Sequence, residues 1–161
     1  MKKSRKKILV TGCAGFIGFH TCLELLRKQK YLVHGIDNLN DYYDKKLKHD
    51  RLKILKRSSK EFKFKKIDIF NSKAVKKDFL KNKYSLVIHL AAQAGVRYSI
   101  NNPEPYIKSN QVGFFNIIDA AKSISVKHFL YASSILVNGY VPRYDTVRGQ
   151  QYNQLFDGEL L

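Results

Sequence analysis

The feature that most restricts the fold is a run near the N-terminus, Ile8-Leu9-Val10-Thr11-Gly12-Cys13-Ala14-Gly15-Phe16-Ile17-Gly18. A short apolar segment rich in β-branched residues meets three glycines spaced three apart and passes into a helical pattern. Glycine lets the chain turn sharply off a strand, lets an anionic group approach the main chain, and lets a helix pack close to a strand. A helix beginning near Gly15 points unpaired N–H groups and its positive dipole end at whatever lies above the turn. An acid, Asp37, follows about twenty residues on, and that combination is the pattern of a dinucleotide-binding α/β unit.

The remaining pattern agrees. Apolar periodicity predicts strands over 8–11, 31–36, 62–67, 86–92 and 128–133. It predicts helices over 16–28, 45–57 and 73–81, and a longer one opened by Pro103 or Pro105 and running to about residue 123. Phe16, Phe19, Leu23 and Leu26 form the expected buried stripe of the first helix, and Leu47, Leu52 and Leu55 that of the second. Residues 93–99 read as a loop at the binding edge, after the small residues Ala91 and Ala92 that leave room for a ligand over the sheet. Strands alternating with helices at this spacing predict one α/β domain, a doubly wound parallel sheet of Rossmann-like type. At the end of the second strand, Asp37 suits the hydroxyls of an adenosine ribose and repels a 2′-phosphate, which favours NAD over NADP. A plain turn aspartate is the alternative.

Charge bears on partners. The chain carries a formal net charge of +17, with most of its Lys and Arg before residue 84. Such a field attracts nucleic acid or anionic lipid non-specifically. Yet the sequence has no recognition helix, zinc pattern or aromatic RNA-binding signature, so solvated lysine-rich faces are expected and no specific nucleic acid. Cys13 and Cys22 suit packing in a reducing compartment better than a disulfide, and the scattered histidines give no metal site. The basic start resembles a secretory leader, but glycines and His20 interrupt the apolar run, and no stretch reaches membrane-spanning length. A cytoplasmic protein without membrane contact is expected.

Three segments together carry a family resemblance: the glycine run at 11–18, Asp37-Asn38-Leu39-Asn40-Asp41-Tyr42-Tyr43-Asp44, and His89-Leu90-Ala91-Ala92-Gln93-Ala94-Gly95-Val96-Arg97-Tyr98-Ser99. The chain resembles the extended short-chain dehydrogenase/reductases that epimerise nucleotide sugars, and the last two segments look specifically like UDP-glucuronate 4-epimerases. The resemblance implies NAD as cofactor, a UDP-sugar substrate, a 4-keto sugar intermediate, and a tyrosine base assisted by a lysine and a serine. It assigns Gly12, Gly15 and Gly18, with Phe16 and Ile17 between them, to the pyrophosphate, and Asp37 with Asn38 to the adenosine ribose. Asp68 and Ile69 fall on the adenine side, Leu90, Ala91, Ala92 and Gln93 pass the cofactor, and Ser134 matches the catalytic serine. Arg97 is a candidate for the sugar carboxylate or a phosphate, since its fork suits either, with a solvated loop arginine as the alternative. Relatives dimerise through helices of this domain, which implies a possible homodimer.

The resemblance stops at Ile135. The family's Tyr-x-x-x-Lys, due some way beyond the serine, has no counterpart, because the last lysine is Lys127. Tyr144-Asp145-Thr146-Val147-Arg148 comes too early and ends in arginine, which does not replace lysine conservatively. The expected organisation is therefore an NAD-binding domain over 1–134, a divergent tail over 135–161, and no substrate domain, as in a truncated or frame-shifted chain. An isomerase by descent, inactive as it stands, is the expected function. The alternatives are a non-catalytic NAD-binding or interaction module and, behind it, a basic nucleic-acid-binding protein.

Overall fold

The computed structural model describes residues 5–132, so Ser134 and the tail at 135–161 lie outside the described residues. Five strands, β1 (Lys6–Thr11), β2 (Tyr31–Asp37), β3 (Phe62–Lys66), β4 (Leu86–His89) and β5 (His128–Tyr131), form one sheet in the order β3-β2-β1-β4-β5. Every pairing is parallel, with Ile8 against Val33 on one side of β1 and Leu86 on the other. Helices α1 (Phe16–Arg27) and α2 (Lys45–Ser58) pack together on one face of the sheet. The other face carries α3 (Ser72–Asn82) and α6 (Phe114–Ser123), joined to the rest by α4 (Val96–Asn101), α5 (Glu104–Tyr106) and a π-helical segment, Ile107–Gly113.

Alternation along buried strands builds two cores. Ile8 and Val10 of β1 enter the core under α1 and α2 with Cys22, Leu26, Leu52 and Leu55. Leu9, between them, enters the opposite core with Ile36, Val75, Phe79, Val87 and Ile117. A strand stretch covered on both faces reads as an unbroken apolar run, as Ile8-Leu9-Val10 of β1 does. The order of the strands reverses between β1 and β4, and the crevice at their carboxyl ends is where such sheets accept ligands.

Several expected details change. The fourth strand ends at His89 rather than continuing to 92, because the amides of Leu90 and Ala91 donate to the Thr11 hydroxyl and leave the ladder. The loop expected over 93–99 closes instead into α4 from Val96. The long helix after Pro103 exists as α5, the π-helical segment and α6 in succession. Phe16 does not join the buried stripe of α1 and stands 67 % exposed, while Gly18, Phe19, Cys22 and Leu26 form that stripe. In α2, Leu47 is exposed and Lys48 occupies the buried side with Leu52 and Leu55.

Candidate functional site

The glycine turn is built by backbone sterics. Gly12 has φ +68°, in the left-handed region, and a Cβ there would lie 2.9 Å from the backbone of Leu90 and Ala91. A Cβ on Gly18 would lie 2.1 Å from the Gly12 carbonyl oxygen, so this glycine lets α1 approach the turn. Gly12 N–H donates to the Ile36 carbonyl at 2.8 Å and Gly15 N–H to the Gly12 carbonyl at 3.0 Å, which fixes the turn over the sheet. Helices α2 and α3 are capped by the Asp44 and Asn71 side chains, whereas Gly15 at the start of α1 supplies no side-chain cap. The first-turn amides of α1 are left for an outside acceptor, and the dipole favours an anion.

Asp37 is tied into this turn. Its buried carboxylate accepts from Ala14 N–H at 3.1 Å and from Leu39 N–H at 2.9 Å. An ionised carboxylate has about four acceptor sites, so two remain for a ligand diol. The contact to its own strand end accompanies a left-handed Leu39, φ +55°, a conformation a branched side chain rarely adopts and one that clusters at functional sites. Beyond it, Asn38 donates to Asp68 at 3.1 Å, coupling the ends of β2 and β3. The buried Lys48 donates to both the carbonyl (3.0 Å) and the side-chain oxygen (2.6 Å) of Asn40. Burial holds the Lys48 ammonium below its ordinary pKa, opposed by the nearby Asp37 and Asp41 charges.

Thr11 fastens the other wall. Its hydroxyl accepts from Leu90 N–H (3.1 Å) and Ala91 N–H (3.0 Å) and lies 2.8 Å from His89 Nδ1. With both lone pairs engaged, the single hydroxyl proton goes to His89, which makes Nδ1 the acceptor and leaves the ring neutral with its proton on Nε2. Desolvation pushes the His89 pKa down to about 4, in agreement with that state. Thr11→Val keeps the shape and strands these three groups. It is expected to destabilise the chain by about 2–3 kcal/mol, read from urea denaturation, and to loosen Leu90 and Ala91 in hydrogen exchange.

Two asparagines on the 104–123 segment hold the remaining loops. Asn110 accepts from Gln93 N–H at 2.8 Å and donates to the Gln93 carbonyl at 2.9 Å. Asn116 donates to the carbonyls of Ile69 (2.9 Å) and Phe70 (3.0 Å). Gly113 admits Ile69, whose Cδ1 would be 2.6 Å from a Cβ there.

The result is a groove across the carboxyl ends of the strands, and it collects Gly12, Gly15, Asp37, Asn38, Ile69, Leu90, Ala91, Ala92 and Gln93 from the sequence-based candidates. Gly18 lies buried beneath the turn, and Phe16 and Ile17 are exposed at its rim, Phe16 under the Arg51 guanidinium at 5.9 Å. Asp68 acts through Asn38 from outside the lining, Arg97 is exposed on α4 and is not among the lining residues, and Ser134 lies outside the described residues. Sequence reasoning missed Asn40, Tyr42, Tyr43, Lys48 and Ser109 as lining residues. The tyrosines and Asn40 stood in a quoted segment, but Lys48 looked like any lysine of a basic helix. Cys13 and Cys22 are buried packing groups, with burial raising the Cys22 thiol to about 12. Among the described residues no group of three His, Cys, Asp or Glu could hold a metal ion, and no helix is long and apolar enough to cross a membrane.

Comparison with known proteins places these features. Residues 9–148 match the family model described as GDP-mannose 4,6 dehydratase. Protein CapI of Staphylococcus aureus is 45 % identical over 133 residues, covering 83 % of this chain and 39 % of that protein. The UDP-glucuronate 4-epimerase of Thermodesulfobacterium geofontis is 49 % identical over 126 residues, covering 78 % of this chain and 38 % of its own length. Among solved structures, UDP-glucuronic acid 4-epimerase from Bacillus cereus, crystallised with UDP-glucuronic acid and NAD, superposes with a TM-score of 0.76 at 35 % identity. That match covers 85 % of this chain and 43 % of the Bacillus protein. The chain thus spans about two fifths of the length of these relatives.

Proposed function

This chain belongs to the GDP-mannose 4,6 dehydratase family, and from that premise we propose that it is the NAD-binding portion of a UDP-glucuronate 4-epimerase-like protein. The observation that carries the reading is the uncapped start of α1 above a turn only glycine can make, with Asp37 bonded into that turn. A pyrophosphate fits over the turn, where a Cβ at Gly15 would meet only the Gly12 carbonyl and otherwise enter open space, against the first-turn amides from Phe16 onward. Asp37 offers its remaining acceptor sites to a ribose diol, and its charge disfavours a 2′-phosphate. Ile69 gives an apolar contact on the adenine side, and the short side chains of Ala91 and Ala92 leave space beyond β4. When bound, NAD would supply reversible oxidation at C4 of the sugar.

On this reading residues 1–134 form the cofactor domain, Ser134 assists at the sugar, and Arg97 on α4 meets a sugar carboxylate or a phosphate. No Tyr-x-x-x-Lys follows Ser134 within the 161 residues, so binding without turnover is the proposed property of this chain by itself. Formation of UDP-galacturonate from UDP-glucuronate by the purified chain would falsify that part.

Cofactor binding is tested by titrating NADH fluorescence. Gly15 has an ordinary extended backbone, φ −69° and ψ 171°, and a Cβ there meets only the Gly12 carbonyl at 3.1 Å. Gly15→Val should therefore fold, as judged by circular dichroism, and bind at least about tenfold more weakly because its side chain enters the anion site. Failure of the wild-type chain to bind NADH, or equal affinity in the variant, removes the proposal.

A further inference from the structure

Two loops far apart in sequence meet across the groove through tyrosines. The Tyr42 hydroxyl lies 2.1 Å from the position a Cβ on Gly95 would take, and it is hydrogen-bonded to the Tyr106 hydroxyl. Tyr106 donates onward to the Ala94 carbonyl at 2.7 Å and also reaches the Gly95 carbonyl. The Tyr42 ring packs against Tyr98 at 5.0 Å and Tyr43 at 4.6 Å, and Tyr98 faces Tyr106 at 6.4 Å. Gly95 itself has φ +101°, which a side chain would strain, and it does not line the groove.

The segment behind Tyr42 is anchored at both ends. Asn38 and Asn40 are held by Asp68 and Lys48, and Asp44 accepts from Lys46 N–H to start α2. Between these anchors, Tyr42 is the side chain that reaches the opposite wall. We propose that Tyr42 is a positioning residue: by filling the space Gly95 leaves open, it fixes segment 38–44 against segment 93–101 and sets the two walls of the groove at a defined separation. The benefit to binding rests on the dinucleotide reading of the groove given above. A wall ordered beforehand costs less to immobilise when the ligand arrives.

Hydrogen exchange on the ligand-free chain, paired with NADH titration, tests this in wild type, Tyr42→Phe, Tyr42→Ala, Gly95→Ala and the Tyr42→Phe/Gly95→Ala double variant. Gly95→Ala drives a methyl into the Tyr42 oxygen and should speed exchange over 38–44 about tenfold, although it lies in the other loop. It should also weaken NADH binding roughly three- to tenfold, and Tyr42→Ala should do the same. Replacing Tyr42 by Phe in the Gly95→Ala background removes the clashing oxygen and leaves the ring carbon at 3.3 Å, so part of both losses returns. Recovery of this kind separates coupling from a local defect at Gly95. Unchanged exchange over 38–44 in Gly95→Ala and Tyr42→Ala overturns the proposal whether or not NADH binds. Absence of NADH binding in wild type defeats the dinucleotide reading instead, while exchange still decides the contact. Should Gly95→Ala fail to fold, Tyr42→Phe alone decides: loss of the Tyr106 bond must speed exchange in both segments, and no change overturns it.

Discussion

Gly18→Ala is expected to destabilise the chain by at least about 3 kcal/mol, whereas Gly15→Ala, three residues earlier, should change stability by less than about 1 kcal/mol. Both glycines belong to one sequence motif, and space separates them. The methyl of an alanine at 18 would sit 2.1 Å from the Gly12 carbonyl oxygen, 2.8 Å from its carbon and 3.0 Å from Cys13 Cα, all backbone atoms that no rotamer can move. Relief requires α1 to lift from the turn, which opens the packing of Phe19 and Cys22 in the core beneath. At Gly15 the single neighbour is 3.1 Å away and the backbone is extended. Urea denaturation of the two variants side by side measures the difference, and equal midpoints would show that the turn is looser than its geometry implies.

Acid should unfold the chain through two buried histidines. His34 is held down to about 4 by burial and then by Lys63, with Lys7 and Lys65 adding to this and Asp78 opposing it. His89 is held down to about 4 by burial. Tyr84 donates to the buried Asp78 at 2.6 Å and its oxygen lies 3.2 Å from His34 Nδ1, so Nδ1 carries the proton and donates to it. The other nitrogen of His34, Nε2, is buried with no partner among the described residues. Unfolding restores both rings to their ordinary value near 6.5, so the unfolded chain binds protons first as pH falls. The stabilising contribution is complete above pH 6.5 and is lost between 6.5 and about 4. For each ring the loss approaches about 3 kcal/mol at the acid end, a large part of the stability of a typical domain. Stability measured across that range should fall by roughly 1–3 kcal/mol per pH unit, and the paired variant His34→Gln/His89→Gln should flatten the fall. A wild-type curve already flat from pH 7 to 5 would mean that the rings are solvated.

What was legible in the sequence was what the backbone demands locally. The glycine spacing and the apolar run Ile8-Leu9-Val10 of β1 each allow few conformations, and the parallel sheet followed from the alternation of strands and helices. Helical periodicity failed at first turns. Phe16 and Leu47 have the right spacing, but both lie in the first turn of their helices and are exposed. Lys48 took the buried place because its stem packs while its ammonium reaches Asn40, and a binary apolar–polar pattern does not register that division. The end of β4 was overextended because Leu90 and Ala91 look like strand residues, although their amides go to a threonine far away in sequence. The same limit hid Tyr42, whose contact with Gly95 is purely tertiary.

The π-helical segment Ile107–Gly113 has a consequence for how this region tolerates change in length. Asn110 within it serves the Gln93 loop, and Asn116 just beyond it serves Ile69 and Phe70. A wide turn holds a surplus residue inside a helix, so deleting one residue there restores an ordinary α-turn without breaking the rod. The wide turn spends one residue more than an α-turn on about the same rotation, so the parts on either side stay close to their phase. Both asparagines would keep their loops. The segment works as a store of slack between two parts of the groove, and the loss of one residue there is absorbed without putting them out of step.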